Sequence, residues 1–283
     1  MGKDASHVGE SASGTGDSMC VADGDGTVVK RVVKACAYGA GVQILATIVG
    51  SVISVLVFEL AGAMPAVVAF PVTCALVAVA MSRGRVTPVE RSGVGGRVAW
   101  LAVAVLLTCV TWYASVTLAT YVVNHVGDPA FMSYSQDMSA SVSGDAGWMG
   151  VLWAAVLAPV CEEVVHRRGG YACMVAGGAP RWLACLLSSA LFALSHGTLA
   201  HIMLTLVVGM VLCVVYERVG GVVPCALIHI GVNVASLTLM PVVADDMVSA
   251  CVAVAVGLGV AVGCLLMLPS RSDVVDTTVG GAE

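Results

Sequence analysis

Seven stretches of the chain carry no Asp, Glu, Lys or Arg: 35–58, 60–82, 98–127, 146–161, 182–216, 219–244 and 247–270. A helix needs roughly 20 apolar residues to cross a bilayer. Six of these runs allow one crossing. The run 182–216 would be roughly 50 Å long as a single helix, at about 1.5 Å per residue. It divides most naturally at Ser-His-Gly-Thr, residues 195–198. The pattern predicts an all-α, polytopic membrane protein with eight transmembrane helices, at about 35–58, 63–82, 98–123, 148–166, 181–196, 199–217, 221–242 and 247–268.

The polar positions between these spans test the count. All 13 basic residues precede the first span, follow the eighth, or fall in every second loop, with Arg167, Arg168 and Arg181 taken as the loop between spans four and five. The alternate loops carry Asp128, Asp137, Asp145, Asp245 and Asp246. Positive charge stays on the cytoplasmic side, so both termini are expected there, in a multi-pass protein of the cell membrane. Composition agrees: 59% of residues are hydrophobic and 11% charged, against about a quarter charged in a soluble domain. Residues 1–27 read as a disordered polar tail, 28–271 as one membrane domain with its motifs in 150–240, and 272–283 as a C-terminal tail. The bilayer is the expected surroundings, and no basic block suggests nucleic acid. The eleven cysteines include no CxxC pair and read as packing residues.

Within the spans a few polar residues stand out. Glu162 and Glu163 are the only carboxylates well inside a predicted helix, where a buried charge usually has a function. Glu163 and Arg167 have the i,i+4 spacing and order that favour an ion pair. Glu162 points about 100° away and is left available. Pro159, one turn earlier, removes a backbone hydrogen bond and is expected to open the helix beside it. Phe192 and His196 share a face at i,i+4, as do His229 and Asn233. His166 shares a face with Glu162 without an evident role, and His201 reads as a residue of a loop or membrane interface. Arg181 is expected outside the hydrocarbon, with the site open toward the cytoplasm.

EExxxR at 162–167, FxxxH at 192–196 and HxxxN at 229–233, in that order on separate spans, resemble the motifs of the CPBP family, the CAAX-protease and bacteriocin-processing (Abi) membrane endopeptidases. The resemblance covers about 150–240. It implies an eight-helix intramembrane endopeptidase in which Glu162, assisted by His196, activates water. His229 and Asn233 would stabilise the oxyanion, with Glu163 and Arg167 in supporting positions. The chain departs from the family pattern at His166, where an aromatic residue is common, and at Arg168, where glycine is common.

The residue types suit this chemistry on their own terms. A Glu and a His can hold and deprotonate one water, and donors one helical turn apart can face a developing oxyanion. The expected partner is a peptide or membrane-anchored protein substrate, lipidated (CAAX-type) or a peptide precursor, and no metal or other cofactor is needed. Three alternatives remain open. Glu162, His196 and His229 could ligate zinc in an intramembrane metalloprotease. The chain could be a non-catalytic bacteriocin-immunity or peptide-binding membrane protein. A proton-coupled transporter is the third, although the chain has no internal repeat.

Overall fold

A computed structural model of the chain describes residues 24–86, 94–133, 136, 147–239 and 243–268. The expected tails, apart from residues 24–27, and most of the Ser-rich loop after residue 133 lie outside the described residues. Those described form helices and their connections. They are α1 (Gly24–Ala61), α2 (Ala63–Ser82), α3 (Val94–His125), α4 (Gly147–Ala176), α5 (Arg181–Leu194), α6 (Leu199–Gly220), α7 (Val222–Thr238) and α8 (Met247–Met267).

Among the described residues, α1, α2, α3, α4, α6 and α8 are long and apolar enough to cross a membrane. Helices α5 and α7 have 14 and 17 residues, roughly 21 and 26 Å. Local signals cut them short. α5 starts after Pro180 and ends at the turn holding Gly197, while α7 starts after Gly220 and Gly221, both at positive φ. The chain is therefore a polytopic, all-α membrane protein, with up to six apolar spans and two shorter apolar helices among the described residues. α5 carries Phe192, with His196 in the turn just after it, and α7 carries His229 and Asn233.

Helix α4 departs most from expectation. It does not end near 166 but runs to Ala176, with π-helical turns at Trp153–Leu157 and Val164–Ala172. Arg167 is therefore not a loop charge. It lies inside the helix with its side chain fully buried.

Helices α4–α7 form the centre. The α1–α2 hairpin packs on α4, while α3 and α8 pack on each other and on α6. The main core gathers Tyr171 and Met174 of α4, Cys185 of α5 and Val211, Leu212 and Val215 of α6. Large apolar side chains on the outer helices, such as Ile48, Val52, Leu106 and Leu258, stay exposed. That is how a helix facing lipid should look, since hydrocarbon imposes no penalty on it.

Polar contacts tie the helix ends together. At one end Arg85 lies over the Tyr38 ring, Arg168 Nε donates to Ser82 Oγ, and Glu217 accepts from Tyr171 OH at 2.8 Å while pairing with Arg181. At that end too, Arg218 Nε donates to the Met267 carbonyl and its guanidinium lies over Trp100. At the other end Asn124 Nδ2 donates to Asp245, and Asp128 accepts from the N–H groups of Ala200 and Phe131, both at 3.0 Å. One end of the bundle is thus basic and the other acidic.

Those two N–H bonds, from Ala200 first and Phe131 second, hold the Asp128 carboxyl below its usual pKa. Folding lowers its pKa, so Asp128 contributes stability above the unfolded value of about 3.9 and loses it as pH falls through the folded value. Thermal melts in detergent should show wild type more stable than Asp128→Asn at pH 6. The gap should close as pH drops below about 4. A gap that does not change with pH would rule this clamp out.

Candidate functional site

Helix α4 is shaped by Pro159. In the π-helical turn before it, the N–H of Ala158 goes to the Trp153 carbonyl, and Pro159 has no N–H to give. The Ala154 carbonyl therefore loses both of its usual helical donors. Asn233 Nδ2 of α7 supplies one from outside, at 2.8 Å. A π-helical turn of this kind often marks a functional site. Here it joins the EExxxR helix to the HxxxN helix.

The two glutamates occupy different surroundings. Glu163 is fully buried, with Oε2 3.1 Å from Arg167 Nε and Oε1 accepting from His229 Nδ1 at 2.9 Å. The ion pair read from the i,i+4 spacing is present. Glu162 keeps 32% of its side chain accessible and lies on the wall of a cavity of about 290 Å³, with Oε2 3.7 Å from His229 Nε2. Its carboxylate has a cavity in front of it, while that of Glu163 is enclosed.

Phe192, fully buried, is the hub of the site. Around its ring stand His166 at 5.0 Å, His196 at 4.9 Å, His229 at 5.5 Å and the Arg167 guanidinium at 5.1 Å. The i,i+4 spacing of FxxxH has a second use: His196 Nδ1 bonds the Phe192 carbonyl at 2.9 Å. A carbonyl only accepts, so Nδ1 carries the proton and Nε2 is left with a lone pair. His229 is oriented in the same way by the Glu163 carboxylate.

Glu162, His196 and Asn233 line the same cavity, and His229 reaches Glu162 from behind. The longer α4 makes this possible. Glu162 lies 14 residues before Ala176, about as far along its helix as His196 lies from Arg181, so an antiparallel α4–α5 pair brings them to similar depth. Two residues without an assigned role also line the cavity: His166, and His201 in the first turn of α6, with its ring 6.1 Å from His196. His201 is thus part of the wall and not a loop residue. Gln43 of α1, which no motif flags, accepts from His166 Nδ1 at 2.6 Å. A side chain at Gly170 would overlap Gln43, so the absence of a Cβ there makes room for this bond. The signal in the sequence was a buried amide in an otherwise apolar span.

The cavity has a buried floor and a more accessible wall. Its floor is buried Cys161, Val165 and His166, and its more accessible wall is Trp153, Ser195 and His201. These last three lie near the start of α4, the end of α5 and the start of α6, all at the acidic end.

Glu162, His196 and His229 are the zinc ligands that the sequence offers. His229 uses Nδ1 on Glu163 and faces Glu162 with Nε2. Among the described residues no group of three or more His, Cys, Asp or Glu side chains is arranged to hold a metal ion.

No curated protein and no solved structure matches the chain. Residues 144–235 match the model of a family described as Rce1-like, type II CAAX prenyl endopeptidase. That stretch begins just before α4 and ends within α7, so it holds Glu162, His196 and Asn233, while α1 and α2, outside it, complete the cavity with Thr47, Phe70, Pro71 and Cys74.

Proposed function

We propose that the chain is an intramembrane endopeptidase that hydrolyses peptide bonds in membrane-associated or lipidated peptides without a metal. The observation that carries this reading is the contrast between the glutamates: one neutralised and enclosed, the other on a cavity wall shared with His196 and Asn233. Glu162 takes a proton from a water in the cavity, and His196 Nε2, held as a lone pair, helps to orient that water and to carry the proton. The hydroxide attacks the substrate carbonyl. Charge then develops on the carbonyl oxygen, near the donors of α7.

Asn233 has two amide hydrogens, and the bond to Ala154 uses one. The other is available to the oxyanion. His229 donates Nδ1–H to Glu163, so it can donate from Nε2 only as an imidazolium. The α7 pair is thus a conditional donor (His229) and an anchored one (Asn233). Replacing Asn233 with Ala should lower kcat by about 10²–10³-fold. Cleavage of a quenched lipidated peptide by the purified variant tests this, and a near-normal kcat would remove Asn233 from the oxyanion role.

The orientation belongs to the same proposal. The basic contacts at one end of the bundle and the acidic ones at the other support eight membrane-associated helices with both termini cytoplasmic. α5 and α7 would reach across with their terminal turns and the adjoining chain. The partners are then the bilayer and a peptide or membrane-anchored protein substrate.

A further inference from the structure

His166 and Gln43 form a buried polar pair at the site that the mechanism above does not use. Resting on the peptidase reading, we infer that His166, held by Gln43, is a specificity-determining residue. It is a fixed hydrogen-bond acceptor on the cavity floor that selects substrates with a hydroxyl or carboxamide side chain close to the scissile bond.

Gln43 lies near the middle of the apolar helix α1 and is buried. A buried amide costs stability there unless it is hydrogen-bonded. Its Oε1 accepts from His166 Nδ1 at 2.6 Å. Nδ1 therefore carries the proton, and Nε2 keeps a lone pair. Gln43 stands behind the cavity wall, whereas His166 is part of its lining. The bond thus uses Nδ1 on the protein side and leaves the rest of the ring, with Nε2, for the cavity. Two further contacts fix the imidazole. Its ring lies 5.0 Å from that of Phe192 at 60°, and its backbone carbonyl accepts from Ser188 Oγ at 2.7 Å.

The next turn of α1 adds a second acceptor. Thr47 shares a helix face with Gln43 and lines the cavity, and its hydroxyl donates to the Gln43 carbonyl at 3.0 Å. That hydrogen is used inside the helix, so the lone pairs of Thr47 Oγ1 are what it offers outward. His166 and Thr47 both call for a donor from the substrate.

An acceptor in this place discriminates. An apolar side chain seated on His166 would strip Nε2 of water and give it no partner, which costs the full desolvation of that group. Sites that hydrogen-bond a substrate group reject analogues lacking it far more strongly than apolar pockets tell apolar groups apart. A hydroxyl or carboxamide supplies the hydrogen, and valine or leucine of similar shape does not. His166 follows Glu162 by about one helical turn, so the residue it meets is close to the bond that is cut. An aromatic side chain at 166 would offer no such acceptor and would leave the Gln43 amide without this bond.

The test uses the full chain in proteoliposomes with quenched, lipidated peptides that differ only in carrying threonine or its isostere valine at one position. That position is moved residue by residue across the scissile bond. The inference predicts one position at which wild type cuts the threonine peptide with a kcat/KM about tenfold or more above that of the valine peptide. The ratio falls to about one in His166→Phe, which has no acceptor. Gln43→Leu lowers it too, because the imidazole is then free to turn an N–H to the cavity. The double variant Gln43→Leu/His166→Phe removes both buried polar partners, which is often close to neutral for folding, and its ratio is also about one. A ratio near one at every position in wild type, or a threonine preference unchanged in the folded double variant, overturns the inference and leaves the peptidase reading standing. Wild type that binds these peptides and cuts none overturns the peptidase reading, and the inference with it.

Discussion

Glu162→Gln is expected to lower kcat for peptide cleavage by about 10²–10⁴-fold, the range for removing a general base, while the thermal melt in detergent stays close to wild type. The expectation rests on what the carboxylate touches. It lies 3.7 Å from His229 Nε2, and the rest of it faces a cavity. An amide of the same shape keeps the packing and substrate binding and loses only the basic oxygen. Near-normal turnover in the glutamine variant would transfer the base role away from Glu162. A large loss of stability would mean that the residue is structural and that its place on the cavity wall is incidental.

Glu163→Gln should have the opposite signature, a stability loss of about 3–5 kcal/mol, because it leaves a buried cation without its counter-charge. Both side chains of the pair are fully buried, and the Arg167 guanidinium also lies 5.1 Å from the Phe192 ring. Glutamine keeps an oxygen for His229 Nδ1, so the loss reports the charge and not the hydrogen bond. Adding Arg167→Met in the same chain should recover much of the stability, since removing both members of a buried pair is often close to neutral. Denaturation of the single and double variants in detergent measures this. A single variant as stable as wild type would show that the pair contributes nothing.

These opposite roles were legible because local geometry sets them. On any helix Glu163 faces Arg167, and Glu162 does not. The spacing of FxxxH and HxxxN was legible for the same reason. What escaped was tertiary. Two adjacent arginines after a glutamate pair look like the end of a span, so α4 was read as ending near 166. In the fold Arg167 is neutralised inside the bundle and Arg168 reaches Ser82. Gln43 comes from a helix more than a hundred residues away, and the partners of His229 and Asn233 come from α4. No periodicity in one helix announces a partner on another. The depth of Glu162 follows from the same helix end: a short α4 puts it near the basic end, whereas the full helix puts it mid-depth.

The measurement closest to the central claim is hydrolysis by purified, metal-analysed protein in proteoliposomes, run in ¹⁸O-labelled water with wild type and Glu162→Gln side by side. The account predicts that wild type cuts a lipidated peptide and places one solvent oxygen in the new carboxylate, that exhaustive chelation leaves the rate unchanged, and that Glu162→Gln binds the peptide but leaves it whole. Peptide bound and left intact by wild type, or activity lost with stoichiometric zinc and restored by adding it, would contradict it.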